Sequence, residues 1–292
     1  MSMNSKPLMV VALGGNALSP PDAESSYAIE RRIIADTALE LQQLIGAGYR
    51  LLIVHGNGPQ VGRLMGSDVG GHNLDVYVSQ TQGELGYLLV QSLRRLGELE
   101  SVGVVTRTLV SAEDAGLAQP TKAVGPILAK QPGAASRQVG TGWRLLVGSP
   151  RPLQILELQA IRSLLGSQHV VAGGGGGVPV TAAGDAVQGV VDKDWVAALL
   201  AVELGAEHLI FVTDVAGVFS GFGSSQQALV RQLSCEQADA LAAQDAFGEG
   251  SMAPKIESAV RFARELKRPA HIVGLGSIMQ ALRNGSGTQI RP

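Results

Sequence analysis

Short apolar runs alternate with amphipathic stretches along most of the chain. The runs PLMVVAL, YRLLIVH, VGVVTRT, HVVAG, EHLIFVTD and AHIVG are almost continuously apolar, which is typical of strands buried on both faces of a parallel sheet. Between them, apolar residues recur near helical spacing, as at Ile29, Ile33, Leu41 and Leu44. This spacing predicts helices over residues 27–48, 74–97, 153–166, 192–206 and 254–267.

Three glycine-rich turns follow predicted strands, at Gly14–Gly15, Gly56–Gly58 and Gly173–Gly177. The carboxyl ends of parallel strands lie at one edge of a sheet, and ligands bind there, so we expect the three turns to come together. Glycine backbone N–H groups can approach an anion closely. The pattern therefore predicts an α/β fold with an anion site at this edge, and a flexible loop is the alternative explanation for the glycine run.

Residues 113–150 interrupt the alternation. This segment is rich in Pro, Gly and Ser and has few periodic apolar residues, so we expect it to lie outside the regular elements. Two interpretations stay open, a passive surface insertion and a mobile lid over a site, because long loops in compact domains are often functional.

Composition narrows the class of protein. The 292 residues carry a formal net charge of −2, which gives no overall field that attracts nucleic acid. No apolar stretch reaches the length of about 18 residues that suggests a membrane span, and the single cysteine, Cys235, excludes an intramolecular disulfide. We therefore expect a cytoplasmic protein that holds any anionic ligand with local lysines and backbone.

Several common motifs are missing from the sequence. The turn LGGNALSP is neither the dinucleotide fingerprint nor a Walker sequence, and the five histidines are scattered without metal-ligand spacing. Glycines, asparagines and isolated lysines remain. They suit phosphoryl transfer, in which the protein positions two oxygens in line and neutralises charge on the transferred group.

Eight stretches occur in a familiar order over nearly the whole chain: VVALGGNAL, VHGNGPQVG, TQGELGY, PTKAVGP, GWRLLVGSPRP, GGGGGVPV, VVDKD and GSMAPKIESAVRF. Together they closely resemble the carbamate kinases of the amino acid kinase family. The resemblance implies a three-layer αβα sandwich with a mainly parallel central sheet and a small protruding subdomain. It also implies a phosphotransferase that moves a phosphoryl group reversibly between ATP and carbamate, with Mg²⁺ brought by the nucleotide, in a homodimer.

The resemblance also divides the chain into two lobes. Residues 1–205 correspond to an N-terminal lobe that binds carbamate or carbamoyl phosphate, with residues 113–150 as the protruding subdomain. Residues 206–292 correspond to a C-terminal lobe that binds ADP or ATP.

Three turns match the family's substrate-binding turns. Their bare backbone is expected to come within hydrogen-bonding distance of the phosphate, an approach that Cβ atoms would block. The matching residues are Gly14, Gly15, Asn16, Gly56, Asn57, Gly58, Gly174, Gly175, Gly176 and Gly177.

Three lysines match groups that act on the transferred phosphoryl. Lys193 and Lys255 correspond to the family's two phosphoryl-contacting lysines, and Asp194 to the acid that orients them. Lys193 opens a predicted helix, where a cation is disfavoured unless an anion is bound. Many amino acid kinases carry a lysine where this chain has Ala12, and the resemblance implies that Lys122 substitutes for it from the lid.

The nucleotide is expected at the other end of the site. The residues that match the nucleotide-binding positions are Thr213, Asp214, Val215, Met252 and Lys255.

Two other functions stay open on the sequence alone. One is a related kinase of the same family that acts on another small acid. The other is a catalytically weak nucleotide-binding sensor, and the intact Lys193 and Lys255 count against it. A Rossmann oxidoreductase is disfavoured because its fingerprint is absent.

Overall fold

An eight-stranded sheet runs through the centre of the computed structural model, which describes residues 3–19, 27–67, 71–97, 100–224, 226–243 and 252–292. The strands in these ranges are β1 (Leu8–Leu13), β2 (Arg50–His55), β3 (Ser101–Gly103), β4 (Arg107–Leu109), β5 (Lys122–Leu128), β6 (Ser136–Val139), β7 (Gly142–Val147), β8 (Gln154–Ile155), β9 (His169–Val171), β10 (Val178–Val180), β11 (His208–Thr213), β12 (Phe219–Ser220), β13 (Ala228–Leu229), β14 (Gln232–Ser234), β15 (Ala270–Gly274) and β16 (Thr288–Arg291). The helices there are α1 (Tyr27–Gly46), α2 (Gly58–Ser67), α3 (Leu74–Arg95), α4 (Ala115–Ala118), α5 (Leu158–Leu164), α6 (Lys193–Glu203), α7 (Cys235–Ala243), α8 (Met252–Leu266) and α9 (Ile278–Asn284).

The central sheet is mainly parallel, as predicted. Its strand order is β14-β16-β15-β11-β1-β2-β9-β3. The strands from β15 to β3 run parallel, and β16 is antiparallel to β15. β1 lies in the middle, where its residues pair with β2 on one side and β11 on the other. The first strand of the chain is therefore surrounded by later ones.

Helices cover both faces of this sheet. In β1, Val10 and Ala12 face a core layer formed with α5, α6, α7 and α8, whereas Met9 and Val11 face a second layer formed with α1, α3 and α9. Alternate residues of a strand point to opposite faces, so the single apolar run of β1 contributes side chains to both core layers. The predicted three-layer αβα arrangement is confirmed.

Residues 113–150 have more regular structure than the sequence predicted. They contain α4 and a three-stranded antiparallel sheet with the order β5-β7-β6, called here the protruding sheet. The prediction of an irregular segment is wrong because these strands are partly exposed and interrupted by Gly125, so most of the segment lacks a continuous apolar run. Val124 of this sheet packs in a small core cluster with Val61 of α2 and Val78 of α3, which seats the protruding sheet on the two helices.

Two other segments differ from prediction. The run VGVVTRT divides into β3 and β4, which belong to different sheets. The helix expected from residue 153 begins at Leu158, because Gln154 and Ile155 pair with β4 instead. Among the described helices, none is long and apolar enough to cross a membrane.

Buried histidines should make stability fall in acid. His169 accepts a hydrogen bond at Nδ1 from the Leu51 N–H at 3.0 Å, and burial, aided by Lys6, lowers its pKa from 6.5 to about 4. The unfolded chain therefore binds the proton first, so this contribution is complete above pH 6.5 and is lost as the pH falls towards 4. We expect wild type to lose on the order of 1 kcal/mol through His169 at pH 5.

His169→Asn is the matched variant, since its amide oxygen can replace the Nδ1 acceptor without titrating. Urea unfolding at pH 7.5 and pH 5 should show a shallower loss of unfolding free energy in this variant. Equal pH dependence in both proteins would contradict the assignment. Burial also lowers the pKa values of His55 and His271 to about 4. The unfolding free energy should therefore still fall in acid in both proteins.

Candidate active site

The three glycine-rich turns meet at one edge of the sheet, as predicted. They follow β1, β2 and β9, which are neighbours and parallel. Gly56 N–H donates to the Leu13 carbonyl at 3.0 Å, and a Cβ at Gly56 would lie 3.2 Å from Gly15 N. The first two turns are therefore in direct contact.

The turn after β9 is wound tightly against the protein. It includes a single 3₁₀ turn, Gly174–Gly176, and φ is positive at Gly173, Gly175, Gly176 and Gly177. Residues with a Cβ rarely adopt this region, and glycine does so at little cost. Backbone conformation alone therefore favours glycine at most of these positions.

Packing gives a second reason for the glycines. A Cβ at Gly175 would lie 2.1 Å from Asn57 Nδ2, and one at Gly174 would lie 2.4 Å from the His55 ring. At Gly176 and Gly177 the added atom would meet Val191 O and Thr108 Oγ1. In this turn the added atoms would collide with the protein itself, whatever the position of the substrate.

His55 and Asn57 support this turn from β2. Burial, with the charge of Lys193, lowers the pKa of His55 to about 4, so its ring is neutral near pH 7. Its Nδ1 lies 3.0 Å from the Gly56 carbonyl. Asn57 is buried and donates through Nδ2 to Thr81 Oγ1 at 2.9 Å, so the orientation of its amide is fixed.

Two lysines converge on one carboxylate. Lys193 is the first residue of α6, and its Nζ lies 2.5 Å from Asp194 Oδ1. Lys255, in the first turn of α8, places its Nζ 3.2 Å from Asp194 Oδ2, and its side chain is only 3% exposed. The structure therefore brings together the two lysines and the acid that the sequence assigned to catalysis.

This cluster favours an additional anion. Burial opposes ionisation of the Asp194 carboxyl, but Lys193 and Lys255 hold its pKa below the ordinary value. Burial lowers the pKa of Lys193, and Asp194 opposes that shift. Lys193 and Lys255 both contact the Asp194 carboxylate near the N-terminus of α6, where the helix dipole attracts a negative group.

Lys122 reaches the same place from the protruding sheet. It is the first residue of β5, and its ammonium forms an ion pair with Asp192. The expectation that no regular element fixes Lys122 is therefore wrong. Asp192 caps α6 by accepting from the Asp194 N–H at 2.9 Å. Asp192 is not among the residues assigned to the site from the sequence. An aspartate at the N-cap position directly before Lys193 is the sequence signal that could have identified it.

Two adjoining cavities occupy this edge of the sheet. The glycine cavity, of about 340 Å³, is lined by Gly15, Gly56, Asn57, Gly58, Pro59, Val61, Val78, Lys122, Ala123, Val124, Arg144, Gly175, Val190, Val191 and Lys193. The lysine cavity, of about 220 Å³, is lined by Gly14, Gly15, Ala17, Lys122, Asp192, Lys193, Asp194, Thr213, Asp214 and Lys255. Gly15, Lys122 and Lys193 belong to both, so they mark the boundary between the cavities.

Of the remaining residues predicted for the site, some line the lysine cavity and others line neither cavity. Thr213 ends β11 and donates to Asp214 Oδ1 at 3.0 Å on the wall of the lysine cavity. Val215 and Met252 line neither cavity, and Met252 packs against the core. The backbone of Asn16 lies in the turn between Gly15 and Ala17, and its side chain is outside the described part of the chain.

Of the glycine run, Gly175 is the residue that lines one of these two cavities. Gly174 and Gly176 are buried in the turn behind it, and Gly177 ends that turn with a positive φ. Their contribution is to fold the turn that presents Gly175.

The site has no cluster of metal-binding side chains within the described ranges, where no group of three or more His, Cys, Asp or Glu residues could hold a metal ion. Asp192 and Asp194, two of the carboxylates that line the lysine cavity, are already paired with lysines.

Known proteins resemble this chain over nearly its full length. It is 36% identical to a carbamate kinase of Halobacterium salinarum, with 97% of this chain and 98% of that protein covered. It is 38% identical to a carbamate kinase of Escherichia coli K12, with the same coverage. The structure of a carbamate kinase from Giardia lamblia bound to AMP-PNP has a TM-score of 0.90 and 30% identity, covering 98% of this chain and 99% of that one.

A family model agrees with these similarities. The model of the amino acid kinase family matches residues 7–274, which include both cavities and the protruding sheet. The chain belongs to the amino acid kinase family.

Proposed function

We propose that this kinase transfers a phosphoryl group reversibly between ATP and carbamate, forming ADP and carbamoyl phosphate. The observation that carries the proposal is the pair of adjoining cavities that share Gly15, Lys122 and Lys193. A phosphoryl group that moves between a donor and an acceptor must cross such a boundary, and cations are needed there. The full-length similarity to carbamate kinases supports carbamate as the acceptor.

The lysine cavity suits the nucleotide phosphates and the glycine cavity suits the acceptor. Lys193 and Lys255 would neutralise the charge that spreads over the phosphoryl oxygens in the transition state. Asp194 holds the two ammonium groups in place before the reaction. The attacking carbamate oxygen is already anionic, so no general base is required.

Magnesium is expected to enter with the nucleotide. Asp192 and Asp194 are paired with lysines, so the phosphate oxygens would supply most of its ligands, as is usual for Mg²⁺ at nucleotide sites. When bound, the ion supplies positive charge to the phosphate chain.

The two lobes and the dimer stay predictions from family resemblance. Residues 1–205 would carry the acceptor and residues 206–292 the nucleotide, although one continuous sheet joins them. Homodimerisation and a cytoplasmic location are likewise expected from the resemblance. Light scattering coupled to size exclusion checks the dimer directly.

A coupled assay of ATP formation from ADP and carbamoyl phosphate tests the proposed reaction. Turnover should be far faster with carbamoyl phosphate than with acetyl phosphate. A preference for acetyl phosphate would instead identify a family member that acts on another small acid. Nucleotide binding without any turnover would identify a sensor.

Lys122→Ala should lower kcat by about 10- to 100-fold, since it removes one charged donor from the boundary of the cavities. Asp192→Asn is the matched control, because asparagine keeps the N-cap of α6 but loses the charge that pairs with Lys122. It should retain most of the activity if the lysine acts on the transferred group. Normal turnover by Lys122→Ala would exclude the protruding sheet from the chemistry.

A further inference from the structure

The glycine cavity contains a cation that no described carboxylate balances. Arg144 of β7 lines this cavity together with Lys122 and Lys193. Those two lysines are paired with Asp192 and Asp194. By contrast, no Asp or Glu in the described ranges forms an ion pair with Arg144.

An irregularity in β5 holds the guanidinium. The pairing of β5 with β7 shifts in register between Val124 and Leu128, and Gly125 has a φ of 76° within this irregular region. The Gly125 carbonyl accepts a hydrogen bond from Arg144 Nε at 3.1 Å. This bond uses the Nε–H donor of the guanidinium. The four N–H donors on the two Nη atoms make no hydrogen bond to other described residues.

The surroundings of Arg144 oppose its charge. Burial, and then the nearby charge of Arg137 on β6, lowers the pKa of the Arg144 guanidinium. The buried guanidinium is less hydrated than an exposed one, and no carboxylate among the described residues pairs with it. An anion in the glycine cavity would supply the missing counter-charge.

We propose that Arg144 binds the acceptor through its Nη groups and selects acceptors that have a planar carboxylate-like group. This inference rests on the proposed function and deepens it. A guanidinium presents two parallel donors that match two oxygens of a planar carboxylate or carbamate. After phosphoryl transfer, one oxygen carries the phosphate and the other remains as a carbonyl that Arg144 can still hold. Its ligands are therefore small carboxylates or carbamates and their acyl phosphates.

Steady-state kinetics of three variants test the inference. Arg144→Gln should raise KM for carbamoyl phosphate by about 10- to 100-fold, the cost expected for one charge-assisted contact. Its KM for ADP should stay within about twofold of wild type. Arg144→Lys should show much of the same loss, because an ammonium keeps the charge but lacks the planar fork.

Arg137→Gln is the matched control. Arg137 pairs directly opposite Arg144 in the protruding sheet, is exposed, and does not line the glycine cavity. Its loss removes the same charge from the same sheet, so near wild-type kinetics are expected. An equal effect of both arginine variants would show that only the net charge of the sheet matters, which would overturn the inference.

Other outcomes are equally decisive. An unchanged KM for carbamoyl phosphate in Arg144→Gln, or a KM for ADP that rises in parallel, would overturn the role of Arg144. If wild type used acetyl phosphate instead, the proposed function would fail, and the same comparison made with acetyl phosphate would still test Arg144. Calorimetric titration with carbamoyl phosphate gives a reading that does not depend on turnover. Weaker binding by Arg144→Gln supports the inference, and equal binding rejects it.

Discussion

Lys255→Met should give a folded protein whose kcat is about 10²- to 10³-fold lower, with a much smaller change in KM for ADP. The reason is that the Lys255 ammonium is buried beside Asp194 and lines the lysine cavity. A contact made mainly with the transferred phosphoryl group lowers kcat when it is lost, whereas a contact made equally with bound substrate raises KM. Methionine keeps most of the side-chain volume, so the core around α8 should remain packed.

Lys193→Ala should behave in the same way, and the double variant should lose little more than either single one. The two ammonium groups share the Asp194 carboxylate and so act as a unit, for which losses are not additive. Lys130→Ala, at an exposed lysine of the protruding subdomain, serves as the control. Near wild-type kcat in either site variant would remove that lysine from the mechanism.

Gly175→Ala should nearly abolish use of carbamoyl phosphate while ADP binding persists. The new Cβ would lie 2.1 Å from Asn57 Nδ2, at a residue with a φ of 62°. Asn57 must then move from the wall of the glycine cavity, and displacements of about 1 Å in a site can cost about 10²-fold in rate. Thr213 and Asp214 lie in the other cavity and should be undisturbed.

Calorimetric titration of both ligands measures this separation. Gly83→Ala is the control, because an added Cβ on that exposed face of α3 meets no atom within 4 Å. That variant should bind both ligands normally. Equal loss of both ligands by a folded Gly175→Ala protein would falsify the assignment of the glycine cavity to the acceptor.

The sequence predicted the central sheet better than the protruding sheet. The apolar runs of β1, β2, β9, β11 and β15 are buried on both faces, so each run is recognisable on its own. Strands of the protruding sheet are partly exposed and interrupted by Gly125. They therefore lack the continuous apolar run by which the central strands are recognised.

Some residues of the site could likewise be predicted from the sequence, and others could not. Residues in the turns that follow buried strands, such as Gly56 and Gly175, could be placed at the correct edge from topology alone. The ion pair between Lys122 and Asp192 joins positions 70 residues apart, and the Arg144 contact depends on an irregular strand. Neither interaction leaves a sequence spacing from which it could be inferred.

The central place of β1 affects how the chain can fold during synthesis. β1 emerges from the ribosome before β11, and Leu13 pairs with Val212, about 200 residues later. At ordinary translation rates one edge of this wholly apolar strand waits roughly 10–40 s for its partner. During that time it is an open edge of the kind that recruits strands from other chains. Folding of the nascent chain therefore depends on protection of this edge until β11 has been made.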